Sequence, residues 1–215
     1  MIPVPDIGQV YPKTGLDADI RFDTTPRFVS TGSMFLDGTN DFLSLDGLTF
    51  TTSSANYSLT CWVKSSDSTS EKVVFDAHSS TSGDRLNLYW ISNTSLRSYS
   101  YDGTSANTFT IGDFGLDGTW HHLALTVGSG TAAKFYVDGQ LVGTDTQSNA
   151  DMSSCDSFIV GTSYDEGGTK TLAGNVCHFG VWHDELTQAE VRALMNATTY
   201  AEATSKGGST PRAYY

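Results

Sequence analysis

The chain has 215 residues, 38% of them hydrophobic and 12% aromatic, which is enough for a packed core and too apolar for a disordered chain. Its formal charge is −12, from 24 acidic and 12 basic side chains, so the broad basic surface that nucleic acid demands is excluded. No apolar run approaches the roughly 20 residues that a bilayer crossing needs, so membrane insertion is not expected.

Four of the five prolines (Pro3, Pro5, Pro12, Pro26) fall in the first 26 residues. Proline fixes φ and removes a ladder donor, so residues 1–27 read as an extended arm. The opening "MIPVPDIGQV" has neither a basic n-region nor an apolar h-region, so a Sec signal is not expected. From residue 28 to 197, short β-rich runs alternate with clusters of Ser, Thr, Gly, Asp and Asn, the rhythm of an all-β sandwich. Only five of the 24 acids are Glu; the rest are Asp, which favours turns and caps, so much of the charge is expected in loops.

The turn "DGTND" puts Asp37, Asn40 and Asp41 within five residues around a glycine. That oxygen supply suits Ca²⁺, although an Asx-turn that caps a hairpin explains the same residues. "DFLSL" follows, and then "YSLTCWVKS", which alternates Tyr57, Leu59, Cys61 and Val63 on one face with Ser58, Thr60, Trp62 and Lys64 on the other. "KVVFDAH" sets Val73 and Phe75 on one face, and "RLNLYWIS" does the same for Leu86, Leu88 and Trp90. In "RSYSYDG", Tyr99 and Tyr101 share a face. With Trp90 and with Tyr164 in "GTSYDEGG", they are the aromatic candidates for a sugar platform beside polar groups.

"TWHHLALTVGSGTAAKFYVDGQLVGT" sets two histidines side by side. In a strand, His121 shares a face with Leu123, Leu125 and Val127, and His122 with Trp120, Ala124 and Thr126. Neighbouring strand residues point to opposite sides, so the pair cannot chelate one metal and reads as scaffold. Asp138-Gly139 then favours a two-residue hairpin turn. "SFIVGTS" and "NVCHFGVWH" are the last long strands. One short helix follows in "LTQAEVRALM", where Thr187 and Glu190 form a capping box, Leu186 and Val191 a staple, and Val191, Leu194 and Met195 the apolar stripe. Residues 198–215 lack periodic apolar residues, carry Gly-Gly and Pro211, and read as a second arm. The three cysteines, Cys61, Cys155 and Cys177, read as free buried thiols, with a Cys155–Cys177 bridge as the alternative; their spacing fits no zinc motif.

Taken in order, "MFLDGTNDFLSL", "YSLTCWVKS", the Thr119–Thr144 hairpin segment, "FIVGTS" and "LAGNVCHFGVWHDELTQAEVRAL" resemble the laminin G-like domains of the concanavalin A-like lectin/glucanase superfamily, over residues 28–197. The resemblance implies a two-sheet antiparallel jelly-roll sandwich with one short C-terminal helix, flanked by the two arms. It also implies binding to glycans or proteins, often with Ca²⁺. Near the final strand, where such domains commonly carry an acidic pair, this chain has Cys177 and His178.

Glucanases of the superfamily carry Glu-x-Asp-x-Glu on one strand, and no such triplet occurs among the five Glu here. No other catalytic motif is present, so the chain is not expected to be an enzyme or to require a cofactor. The two arms and the lone lectin-like domain suggest a display protein on a virus particle, such as a phage capsid decoration or fibre protein, with capsid proteins or further copies held through the arms. A Ca²⁺-dependent carbohydrate-binding module, acting outside the cell, is the alternative. The expected location is accordingly the virion surface, or the extracellular space.

Overall fold

A computed structural model describes residues 32–45, 48, 56–67, 71–92, 94–112, 117–128, 132–146, 154–164 and 170–215. The arm expected over residues 1–27 lies outside them.

Two antiparallel sheets face each other. One contains β1 (Met34–Asp37), β12 (Ala173–Trp182), β3 (Tyr57–Lys64), β8 (Trp120–Val127), β9 (Ala133–Val137) and β10 (Gln140–Asp145), in that order, with β13 (Ala213–Tyr214) also paired to β12. The other runs β2 (Leu43–Ser44), β11 (Ser157–Val160), β4 (Lys72–His78), β5 (Arg85–Ser92), β6 (Ser95–Tyr101) and β7 (Ala106–Ile111). Period-two alternation sends Leu59, Cys61 and Val63 from one sheet, and Leu86, Leu88 and Trp90 from the other, into a shared core. Phe109 of β7 stacks on Phe135 of β9 at 5.2 Å, and Asn107 donates to Asp145 at 2.6 Å, so the two sheets close along this side.

Strand β4 departs from simple alternation. Its register against β5 shifts between Val73 and Phe75, which admits one extra residue. Val74 and Phe75 both enter the core, whereas Val73 pairs with Tyr89 and turns to the other face. Val73 and Phe75 therefore do not share a face, because a bulge places two consecutive side chains on one side.

A second apolar layer lies on the outer face of the first sheet. Ala124, Tyr136 and Trp182 pack there against Leu186, Val191, Leu194 and Ala203. Two helices, not one, supply this layer: α1 (Gln188–Leu194), with the expected capping box at Thr187 and Glu190, and α2 (Tyr200–Lys206), with Thr199 as N-cap. The tail expected as an arm over residues 198–215 is thus folded onto the sandwich. Its local sequence needs no long apolar stripe, because Trp182 and Tyr136 of the sheet supply the apolar surface and small Ala203 fits against it. The three cysteines are buried thiols, and Cys155 and Cys177 are not bridged. Burial pushes the Cys61 thiol up to about 12, which leaves it an inert core residue.

Candidate functional site

The two histidines settle into structural roles. His122 is buried on the helix-covered face, edge-on to Trp62 at 5.3 Å, and burial pushes its pKa down to about 4. His121 is on the opposite face, and its Nδ1 meets Asp138 at 2.8 Å. The same carboxylate accepts the His122 backbone N–H at 2.8 Å through its other oxygen, which locks the Asp138-Gly139 turn, with φ of 49° and 72°, onto β8. Burial works against a charged His121, but the hydrogen bonds and charges of Asp138 and Asp117 outweigh it and hold the pKa above its ordinary value. A pKa raised on folding contributes stability in full below the unfolded value near 6.5 and loses it as pH climbs through the folded value. The stability gap between the parent and His121→Gln is therefore expected to narrow as pH rises from 6 to 8. A gap that stays constant across thermal melts in that range would remove the charge from this account.

The expected Ca²⁺ turn is satisfied by its own backbone. Asp41 Oδ2 accepts the Asp37 N–H at 3.0 Å, and Asp37 Oδ1 accepts the Thr39 N–H at 2.7 Å, the pattern of an Asx-turn. Among the described residues no three His, Cys, Asp or Glu side chains cluster as metal ligands. Six to eight oxygens are what Ca²⁺ requires, and two of the carboxylate oxygens here are already engaged by backbone N–H groups of the turn.

The outer face of the second sheet has a different character. Residues directly opposite in an antiparallel sheet point the same way, so register builds rows across it. One row runs Ile159, Asp76, Asn87, Tyr99 and Thr108; its neighbours run Ser157, His78, Arg85, Tyr101 and Ala106, and Val73, Tyr89, Arg97 and Thr110. A depression of about 250 Å³ opens on this face, lined by Val73, Arg85, Asn87, Tyr89, Tyr99, Ser163 and Lys170. Asn87 is only 5% exposed, and its Oδ1 has no hydrogen-bond partner. A buried acceptor left unpaired costs about 1–3 kcal/mol, and because Asn87 lines the depression, a donor from outside that reached this oxygen would recover that cost.

Beneath the rim, Asp76 ties the pieces together. It is 1% exposed, and its Oδ2 accepts from Arg85 Nη2 at 2.9 Å and from the Tyr164 backbone N–H at 2.8 Å. The same Arg85 nitrogen donates to the Ser163 hydroxyl, which fixes the segment after β11 against β5. Lys170 pairs with Glu71 at 2.9 Å on the rim. Tyr164, 51% exposed, lies flat on His78 with ring centres 4.3 Å apart.

Of the four aromatic candidates, Tyr99 lines the depression and Tyr164 stands beside it on the same face. Tyr101 shares that face in the row with Arg85 but does not line the depression. Trp90 is excluded: it is 1% exposed and points into the core with Leu86 and Leu88, so no ligand reaches it. Asn87, Tyr89, Arg85 and Asp76 were missed by sequence reasoning. A signal for three of them was there, since Arg85, Asn87 and Tyr89 alternate with the core-facing Leu86, Leu88 and Trp90. Rigid aromatic faces set beside orphan acceptors and donors can hold a ring with apolar C–H faces and polar edges.

The comparisons with known proteins agree on the scaffold. No curated protein matches the chain by sequence. Domain 4 of an extracellular arabinanase from Geobacillus stearothermophilus, solved in complex with arabinotriose, is similar at a TM-score of 0.61 and 20% identity over 76% of each chain. Domains LG4-5 of the mouse laminin α1 chain are similar at 0.57 and 17% identity, over 77% of this chain and 45% of theirs. The CBM40 domain of a Ruminococcus gnavus sialidase, bound to α2,3 sialyllactose, is similar at 0.56 and 14% identity, over 72% of this chain and 98% of its own. At these identities the likeness shows the fold. The laminin G model of the concanavalin A-like lectin/glucanases superfamily matches residues 37–192, well over half the chain. The chain belongs to the laminin G-like family of that superfamily.

Proposed function

We propose that the protein is a non-catalytic carbohydrate-binding module that takes a sugar on the outer face of the six-stranded sheet. The observation that carries this reading is the unpaired, buried Asn87 Oδ1 in a depression flanked by Tyr89 and Tyr99. Sugar hydroxyls are the donors such an acceptor wants, and the tyrosine rings suit the apolar face of a pyranose or furanose. Two domains of the same fold were solved with oligosaccharides, which supports the class of ligand. Binding is favoured over hydrolysis because Asp76 is only 1% exposed, with its Oδ2 held by Arg85 and the Tyr164 N–H, and Glu71 is paired with Lys170, so neither presents an exposed, unpaired carboxylate as acid or nucleophile.

Display on a virus particle rests on the two terminal arms and the lone lectin-like domain. One of them, residues 198–215, is packed on the sandwich, and display through residues 1–27 is compatible with the sugar-binding reading without being required by it.

The test is calorimetric titration against a panel of soluble plant, bacterial and animal polysaccharides, with Ca²⁺ and with EDTA. The parent is expected to bind at least one of them equally in both buffers. Tyr99→Ala is expected to weaken that binding at least tenfold, the equivalent of about 1.4 kcal/mol. Unchanged affinity in both Tyr99→Ala and Asn87→Ala, or no binding anywhere in the panel, overturns the proposal.

A further inference from the structure

Resting on that sugar-binding reading, we infer that the face holds two adjoining subsites and that its ligand is a neutral oligosaccharide lying across the strands, not a single terminal sugar. A second hollow of about 330 Å³ lies toward β2, with Phe42, Ile159, Thr162 and Tyr164 among its walls. Ser163 lines both hollows, so they abut at this residue.

The second hollow repeats the chemistry of the first with different residues. Thr162 is 8% exposed, and its Oγ1 has no hydrogen-bond partner. Two strongly exposed aromatics flank it, Phe42 at 53% and Tyr164 at 51%. Exposed aromatics in a polar surround carry an ongoing solvation cost, and a ligand ring laid on them relieves it. The Tyr164 platform is preorganised: its ring stacks on His78, and its backbone N–H is held by Asp76 at 2.8 Å.

Spacing argues for a chain. Asn87 on β5 and Ile159 on β11 lie in one row with Asp76 of β4 between them, so they are two strand spacings apart, about 10 Å. One sugar ring does not cover that distance, whereas two or three linked rings do. A polymer that repeats an apolar face and a set of hydroxyls matches two hollows that each offer an aromatic wall and an unpaired polar atom. Charge argues for a neutral polymer. The two cations that line the first hollow, Arg85 and Lys170, are each already paired with a carboxylate, Asp76 and Glu71.

The experiment is a length series. Xylo-, cello- and α-1,5-arabino-oligosaccharides of one to six units, with oligogalacturonides as the charged control, are titrated into the full chain. The variants are Phe42→Ala, at an exposed position, and Thr162→Val, which keeps the shape of the side chain. For a neutral series that binds, affinity is expected to rise at least tenfold between one and three units and then level off. Phe42→Ala and Thr162→Val are expected to remove most of that rise. Affinity that is flat with length and lost in Tyr99→Ala overturns the two-subsite inference and leaves the sugar-binding reading standing. The same holds for equal losses on monomer and trimer in Phe42→Ala, or for preference for the galacturonides. No binding by the parent to any series, together with a blank polysaccharide panel, overturns both.

Discussion

A chain ending at residue 197 is expected to melt about 8–20 °C below the full protein. The last residues look dispensable in composition, but they roof the outer face of the seven-stranded sheet. Trp182 is 0% exposed, and α2 contributes Ala203, also fully buried, to the layer around it. Strand β13 adds backbone bonds to the edge of β12: Arg212 N–H to the Val181 carbonyl at 2.7 Å, and a reciprocal pair between Phe179 and Tyr215 at 2.9 Å each. The Tyr214 hydroxyl donates to the Ala197 carbonyl at 2.9 Å. Removing the roof exposes much of Trp182 together with parts of its neighbours. An exposed apolar area on the order of 150–200 Å² at about 25 cal/mol per Å² costs about 4–5 kcal/mol. At roughly 2–4 °C per kcal/mol for a domain of this size, the melting temperature falls by about 8–20 °C. Calorimetry on the two chains decides it, and a truncated protein within 2 °C of the parent would mean that the tail is an arm after all.

The second large effect belongs to Asp76. Asp76→Ala is expected to destabilise the fold by about 3 kcal/mol, because removing one member of a buried pair strands the other charge. The Arg85 side chain keeps 16% of its exposure and can find some water, which places the cost at the lower end of the usual range. The Tyr164 N–H loses its acceptor at the same time. Binding is expected to suffer beyond the stability loss, since Arg85 lines the first hollow and Tyr164 the second. Asp76→Asn retains acceptor oxygen without the charge, so it is expected to recover part of the stability and part of the affinity. Urea unfolding and sugar titration of both variants provide the check. A loss under 0.5 kcal/mol in Asp76→Ala would show that the segment after β11 is held by something other than this carboxylate.

Some of this site could be reached from the sequence and some could not. Burial of Trp90 followed from its own alternation with Leu86 and Leu88, yet size and aromaticity had placed it on the platform. Asn87 and Tyr89 followed from the same alternation, read from the other side. Tyr99 was found that way, with its neighbour Tyr101. Phe42 and Tyr164 were different. They are far apart in sequence, and the pairing of β2 with β11 is what brings them to one hollow. The role of Asp76 was equally hidden, because a lone acid in "KVVFDAH" carries no sign of which loop amide it will accept.

What the sequence determined by itself is whatever depends on local period and local chemistry. Alternation specified the strands and their inner faces, Asp138-Gly139 specified a turn that needs φ > 0, and Thr187 with Glu190 specified a helix start. Each of these is governed by neighbours within a few residues. Tertiary structure decided the rest: the bulge that turned Val73 outward, the folded tail and the two hollows. The partners that complete these features come from distant parts of the chain: the amide that Asp76 accepts belongs to Tyr164, 88 positions on, and Phe42 and Tyr164 share a hollow only because β2 pairs with β11.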